Sequence, residues 1–233
     1  MSQPPLGVRL GYAAPGAVLA FVGIPVYVYL PKFYTDVVGA QVTWVGVFLV
    51  LIRLADGLTD PAIGTLSDRT RTRWGRRRVW ILGGALPLSL ALVLTLVPPE
   101  LGPIPGALWF GATLALLYLA WTVVAVPYEA LGLELCDDYD GRTSLLGWRD
   151  GAVILGTLAA AAAPEAVRAL GGLGHSARDE RAVFAQLAWV YAPSCPWPAG
   201  CACAWCASPR RARCARASPG ARCCRTARSW SCS

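Results

Sequence analysis

The chain has 233 residues, of which 55% are hydrophobic and only 15% charged, and its mean hydropathy is +0.47. A soluble domain would carry about 25% charged residues, so this composition excludes an ordinary soluble enzyme or nucleic-acid-binding domain. Several segments reach the roughly 20 apolar residues that a helix needs to cross a bilayer. We therefore expect an all-α integral membrane protein.

The net charge of +7 is confined to an Arg- and Cys-rich tail, residues 194–233. This tail contains seven arginines, no acidic residue and eight of the nine cysteines, but no Leu, Ile, Val or Phe. Such a composition is typical of GC-rich codons translated in a shifted frame. We therefore expect a frameshifted, unstructured tail. The alternatives are a zinc site around Cys203 and Cys206 and basic contact with anionic lipid or nucleic acid.

Hydropathy predicts five complete membrane spans and part of a sixth in residues 1–193. In chain order, the spans cover residues 8–30, 41–66, 79–97, 107–133, 148–170 and 181–193. Six helices arranged as a 3+3 inverted repeat form one half of a twelve-helix transporter, in which solute binds between the halves. We thus expect an N-terminal six-helix bundle with a truncated sixth helix, and a C-terminal half in the intact protein.

The orientation follows from the arginines between spans 2 and 3. Six arginines lie within this ten-residue segment: Arg69, Arg71, Arg73, Arg76, Arg77 and Arg78. Short loops rich in Lys and Arg stay in the cytoplasm. The sequence therefore predicts a multi-pass protein of the plasma (inner) membrane, with a cytoplasmic N-terminus and the segment 34–41 outside.

Charged residues occur inside span 2, in the stretch R-L-A-D-G-L-T-D-P at residues 53–61. Asp56 and Asp60 are four residues apart and share one helix face. A carboxylate in lipid costs about 2.5–3.5 kcal/mol, so these groups should face a cavity. With the hydroxyl of Thr59 they offer the hard oxygen ligands that small cations prefer. Arg53 allows the alternative of a structural ion pair; we favour a cation site because two acids face one arginine.

Other chemistry has little support in the sequence. His175 is the only histidine, so neither a catalytic triad nor a histidine metal site can be assembled. No phosphate-binding loop is present, which argues against ATP-driven transport. We expect no enzymatic activity, no metal site, no nucleic-acid partner and no cofactor other than a coupling ion, Na+ or H+.

Three regions carry a family resemblance: F-Y-T-D-V-V-G at 33–39, the long segment 53–82, and V-P-Y-E-A-L-G-L-E-L at 126–135 followed by R-T-S-L-L-G-W-R-D-G. Together they resemble the glycoside–pentoside–hexuronide:cation symporters, the melibiose-permease branch of the major facilitator superfamily. The resemblance covers about residues 8–193. Its most specific element is D-x3-D-P joined to R-x-R-W-G, both within 53–82.

The resemblance implies roles for individual positions. In the family, the two acids of span 2, here Asp56 and Asp60, bind the coupling Na+, Li+ or H+. Thr59 and Thr122 occupy positions where further cation ligands are found. The basic loop after span 2 helps to close the cytoplasmic side. The residues that match this gate loop are Gly64, Asp68, Arg69, Arg73, Gly75, Arg76 and Arg77.

The chain departs from the sugar-carrying members at two positions. Ala20 and Ala125 replace aspartates whose carboxylates accept hydrogen bonds from sugar hydroxyls. Galactoside transport is therefore not expected. Arg149 lies where an arginine of span 5 contacts sugar, and Glu129 adds an acid in span 4. The candidate solute-binding residues are Tyr27, Trp121, Glu129 and Arg149; helix packing is the alternative role for Tyr27 and Trp121.

These observations predict a cation-coupled secondary transporter of a small organic solute, such as a sugar or glycoside, that works by alternating access. Its partners would be the solute, the coupling cation and the lipid bilayer. Two alternatives fit the same residues. One is a truncated membrane fragment that does not transport, or a half that pairs with another half. The other is a lipid or lysolipid carrier of the same superfamily branch.

Overall fold

The computed structural model describes residues 6–70, 72, 77–135, 138–174 and 176–194. Within these ranges all regular elements are helical, which confirms the predicted all-α class. The helices are α1 (Leu6–Val38), α2 (Val42–Arg69), α3 (Arg78–Leu96), α4 (Pro103–Leu135), α5 (Tyr139–Gly171) and α6 (Ala177–Ser194). The predicted tail after Ser194 lies outside the described residues, as do three gate-loop positions, Arg73, Gly75 and Arg76.

The helices are longer than the apolar segments from which they were predicted. Residues 34–41, expected to be a loop, are helical as far as Val38, and α5 begins at Tyr139 instead of residue 148. Hydropathy detects only the residues that lie in lipid, whereas helical hydrogen bonding continues into polar residues beyond it. By length and composition, α1 to α5 can each cross a membrane.

Helix α1 is irregular in its second half. It contains two π-helical turns, Pro25–Tyr29 and Tyr34–Val38. Proline has no N–H to donate to the preceding turn, so Pro25 interrupts the regular hydrogen-bond ladder where the first wide turn begins. The helix ends at Gly39, whose φ of 76° lies in the left-handed region that glycine adopts without strain.

The bundle is held together by aromatic side chains of α1. The buried hydroxyl of Tyr34 donates a 2.9 Å hydrogen bond to the carbonyl of Thr95 in α3, and its ring lies 4.8 Å from that of Phe110 in α4. Phe33 packs against Phe184 of α6 with 4.2 Å between ring centroids. These contacts place α1 at the centre of the described helices.

The helices differ in how much of their surface the bundle covers. In the most apolar 18-residue stretch of each helix, nearly half is buried in α1, α3 and α4, compared with 11% in α2 and 17% in α5. Helix α5 packs mainly on α1, and α2 mainly on α4. One face of α2 and one face of α5 are therefore uncovered within the described residues, and α2 is the helix that contains the two span acids.

Candidate functional site

The two acids of α2 differ in their surroundings. The side chain of Asp56 is 20% exposed, and Asp60, one turn further along, is exposed. The Asp60 carboxylate makes no hydrogen bond or ion pair with any other described residue. The hydroxyl of Thr59 donates a long hydrogen bond, 3.4 Å, to the carbonyl of Asp56 within the same helix. Among the described residues, no group of three or more His, Cys, Asp or Glu side chains is arranged to hold a metal ion.

Helices α2 and α4 run parallel, and two glycines show their register. A Cβ added at Gly111 would meet the ring of Phe48, and one added at Gly64 would lie 3.7 Å from a methyl group of Val126. The residues one helical turn before this second contact are Asp60 in α2 and Thr122 in α4. The packing therefore brings the buried Thr122 to the level of Asp60.

Arg53 is shared between an acid and two aromatic rings. Its Nη1 is 3.9 Å from a carboxylate oxygen of Asp56 but donates a 3.2 Å hydrogen bond to the hydroxyl of Tyr27. The guanidinium carbon lies 4.4 Å from the ring centroid of Tyr27 and 5.3 Å from that of Tyr118. The structural ion pair considered from the sequence is present, but it is loose. Tyr118 was not identified from the sequence, because nothing in its local pattern distinguishes it from a packing residue.

Arg149 lies in a different environment, near the end of the bundle where α2 ends at Arg69 and α3 begins at Arg78, which we call the arginine end. Two of its nitrogens donate to one oxygen of Asp150, at 2.9 and 2.8 Å. Its aliphatic stem packs against α1, where a Cβ added at Gly16 would be 3.0 Å away. The exposed Glu129 follows Tyr128, whose ring stacks on that of Tyr12 with 5.0 Å between centroids.

The four candidate solute-binding residues do not form one cluster. Tyr27 lies beside Arg53, whereas Arg149 packs on Gly16 and Glu129 follows Tyr128, which stacks on Tyr12. Tyr12 is roughly 22 Å from Tyr27 along α1, at about 1.5 Å per residue. Trp121 is half-buried between α4 and α1, where a Cβ added at Gly23 would be 3.3 Å from its ring. The structure thus groups Tyr27 with the acids of α2 and separates it from Arg149.

The described part of the gate loop contains a direct link between helix ends. Arg77 donates a 2.7 Å hydrogen bond to the carboxylate of Asp68, which joins the beginning of α3 to the end of α2. The indole of Trp80 donates to the hydroxyl of Thr70 at 3.0 Å across the same junction. Gly64 packs on α4, as described above, and Arg69 is in the last turn of α2.

Comparison with known proteins agrees with the sequence resemblance. The family described as MFS/sugar transport protein matches residues 11–193. The chain is 38% identical to the inner membrane symporter YicJ of Escherichia coli over 60% of this chain and 31% of that protein. It is 35% identical to the putative glycoside/cation symporter YagG of the same organism over 68% of this chain and 35% of YagG.

A third relative is the isoprimeverose transporter of Lactiplantibacillus pentosus, 30% identical over 56% of this chain and 28% of that protein. The chain thus spans about a third of the length of these curated relatives. Its helices make it a multi-pass membrane protein with the fold of the N-terminal half of a major facilitator. The chain belongs to the MFS/sugar transport protein family, in its branch of glycoside–pentoside–hexuronide:cation symporters.

Proposed function

We propose that this chain provides the cation-binding half of a cation-coupled secondary transporter. The coupling ion, Na+ or H+, binds at Asp56 and Asp60, and Thr59 and Thr122 supply neutral oxygen atoms. One observation carries the proposal: the carboxylate of Asp60 lies within a membrane span, has no partner among the described residues, and is level with the buried Thr122.

The energetics favour neutralisation of this carboxylate by an ion. An aspartate within a span costs about 2.5–3.5 kcal/mol on insertion scales, and more when nothing compensates its charge. Arg53 relieves this cost little, because it hydrogen-bonds Tyr27 and stays 3.9 Å from Asp56. A proton, or a sodium ion surrounded by oxygen atoms, removes the charge directly.

The solute is proposed to be a small polar organic molecule. The relatives described above are named as a symporter, a putative glycoside/cation symporter and an isoprimeverose transporter, which supports a glycoside as the solute class. Arg149 offers hydrogen-bond donors and Glu129 acceptors for solute hydroxyls near the arginine end. Ala20 and Ala125 leave the positions of the two sugar-binding aspartates without a carboxylate.

The proposed transport cycle depends on α2 moving together with α3. The pair of Asp68 and Arg77 joins these helices at the arginine end. In alternating access, two six-helix bundles rock over a site between them. A rigid α2–α3 junction would carry Asp56 and Asp60 with the bundle as it rocks. By the rule for basic loops, we assign the arginine end to the cytoplasmic side.

Cation binding by the purified chain tests the proposal. Isothermal titration with NaCl against a choline chloride reference measures sodium binding, and infrared absorption of protonated carboxyl groups measures proton binding. We expect Asp60→Asn to abolish the response that wild type shows in either measurement. The matched control is Asp36→Asn, which neutralises an exposed aspartate at the end of α1 and should leave the response unchanged. Retention of full cation binding by Asp60→Asn would refute the assignment.

Transport is tested by reconstituting the chain into vesicles with an inward sodium or proton gradient. The proposal predicts gradient-driven accumulation of a glycoside from a panel of radiolabelled solutes when the second half of the transporter is present. Cation binding without accumulation by this chain alone would identify it as a fragment that binds its ion but does not transport. Accumulation of a lysolipid in place of glycosides would favour the lipid-carrier alternative.

A further inference from the structure

We infer that Tyr27 is a positioning residue for the cation site: its hydroxyl holds the Arg53 guanidinium away from Asp56, which leaves that carboxylate available to the coupling ion. The inference rests on the proposed function, because it assigns a role in cation binding at Asp56. It differs from the solute-contact role expected for Tyr27 from the sequence, since Tyr27 acts here through an arginine.

The distances around Arg53 show which interaction dominates. Nη1 of Arg53 is 3.2 Å from the hydroxyl oxygen of Tyr27, within hydrogen-bond range, and 3.9 Å from Oδ2 of Asp56. A guanidinium–carboxylate hydrogen bond is normally about 2.7–2.9 Å long. Arg53 precedes Asp56 by three residues on one helix, a spacing at which such pairs form readily. The pair is nevertheless open, so another interaction holds the guanidinium.

That interaction is a clamp made of two tyrosines, Tyr27 and Tyr118. Their rings are nearly perpendicular, at 86°, with 5.8 Å between centroids. The guanidinium carbon of Arg53 lies 4.4 Å from one centroid and 5.3 Å from the other, distances at which a cation is attracted to a ring. The hydroxyl of Tyr27 adds a directional acceptor, so this residue binds Arg53 through both its ring and its oxygen.

The clamp belongs to helices other than the one that carries the acids. Tyr27 is in α1 and the buried Tyr118 is in α4, whereas Arg53 and Asp56 are in α2. The hold on Arg53 therefore depends on how α1 and α4 pack against α2. Any movement of α2 relative to these helices changes how much of the guanidinium is available to Asp56.

This arrangement makes Arg53 an internal competitor of the coupling ion. A guanidinium that closes on Asp56 neutralises the same carboxylate oxygens that would bind Na+ or H+. When Tyr27 and Tyr118 hold the guanidinium, the negative charge of Asp56 adds to that of Asp60 and favours cation entry. Loss of the Tyr27 hydroxyl should therefore weaken cation binding although Tyr27 itself touches no ion.

The test measures cation binding by Tyr27→Phe and by wild type. It uses whichever of the two measurements, NaCl titration or infrared absorption, detects binding by wild type. Phenylalanine keeps the ring but removes the acceptor for Arg53. We expect about five- to tenfold weaker cation binding, the size of one ordinary hydrogen bond, because the bond from Arg53 to Tyr27 is long at 3.2 Å. Adding Arg53→Gln to Tyr27→Phe removes the competitor and should restore wild-type or tighter binding. The matched control is Tyr29→Phe, whose lost hydroxyl donates to the carbonyl of Ala161 in α5 and not to Arg53.

Each outcome decides between the alternatives. Unchanged binding in Tyr27→Phe overturns the inference, while loss of binding in Asp60→Asn would still support the proposed function. Binding that stays weak in the double variant shows that Tyr27 acts independently of Arg53, as a direct ligand or a purely structural residue, and also overturns the inference. If wild type binds neither sodium nor protons, the proposed function fails and the inference fails with it.

Discussion

The hydroxyl of Tyr128 in α4 donates a 2.6 Å hydrogen bond to the backbone carbonyl of Tyr12 in α1, and the two rings stack with 5.0 Å between centroids. A glycine makes this approach possible, because a Cβ at Gly16 would be 2.9 Å from the Tyr128 oxygen. The contact fastens α1 to α4 near the arginine end, where Arg149 packs on the same glycine. It therefore supports the surroundings of a candidate solute-binding residue.

Tyr128→Phe should lower the free energy of unfolding by about 1 kcal/mol, because it removes this buried hydrogen bond but keeps the stacked ring. Denaturant unfolding in detergent micelles measures the change. Tyr139→Phe is the control, since Tyr139 is 81% exposed at the beginning of α5 and its substitution should have no measurable effect. Equal stability of the two variants would show that the hydrogen bond contributes nothing.

Gly156→Ala should destabilise the bundle by about 1–3 kcal/mol, because the added methyl group meets the backbone carbonyl of Ala17 where α5 crosses α1. Backbone cannot move aside as a flexible side chain can. Gly151→Ala on the same helix is the control, since nothing lies within 4 Å of the added carbon. Alanine favours helix over glycine by up to about 1 kcal/mol, so Gly151→Ala should be neutral or stabilising. The same shift in thermal midpoint for both variants would contradict close packing at Gly156.

Asp68→Asn should lower the free energy of local opening at the junction between α2 and α3 by about 1 kcal/mol. The Arg77 side chain is largely buried and loses a charge-assisted hydrogen bond, whereas Asp68 is about half-exposed, so solvent screening reduces the effect. Hydrogen exchange of the amides in the last turn of α2 measures the change. Glu100→Gln is the control: Glu100 is almost fully exposed and 3.8 Å from Arg181, and such surface pairs contribute little. Unaltered exchange in Asp68→Asn would rule out a role in holding the junction.

The stability of the first turn of α6 should depend on pH through Asp179, which lies outside the membrane-spanning helices. The Ser176 hydroxyl donates a 2.7 Å hydrogen bond to the Asp179 carboxylate and accepts one from the Asp179 N–H at 3.2 Å, an N-cap arrangement that lowers the pKa of Asp179 below its ordinary value of 3.8. Because folding lowers this pKa, the stabilisation is complete above the ordinary value and is lost as pH falls through the pKa of the folded state.

Carbon-13 NMR titration of the Asp179 carboxyl group measures this pKa directly. We expect Ser176→Ala to raise it towards 3.8, because the hydrogen bond from the serine hydroxyl is the largest cause of the shift. Thr143→Ala removes a hydroxyl that bonds only within α5 and serves as the control. A pKa of Asp179 that is the same in wild type and Ser176→Ala would refute the role of the serine hydroxyl.

The sequence by itself determined the helical class, the family and the shared face of Asp56 and Asp60. These features are local: runs of apolar residues can satisfy their backbone groups in lipid only as helices, and residues four apart on a helix share a face. The predicted fold and family are confirmed, whereas the roles of the site residues and the orientation in the membrane stay predictions. The helix ends were predicted less well, because polar residues such as those at 34–38 continue a helix without any hydropathy signal.

The tertiary structure decided which partners each charged group has. Spacing alone allows an ion pair between Arg53 and Asp56, but the packed bundle places Tyr27 and Tyr118 around Arg53 from two other helices. Packing also brings Thr122 level with Asp60 and keeps Arg149 apart from Tyr27. Such contacts depend on the register and crossing of helices far apart in sequence, which are set by close packing at glycines and aromatic rings, and no local pattern contains that information.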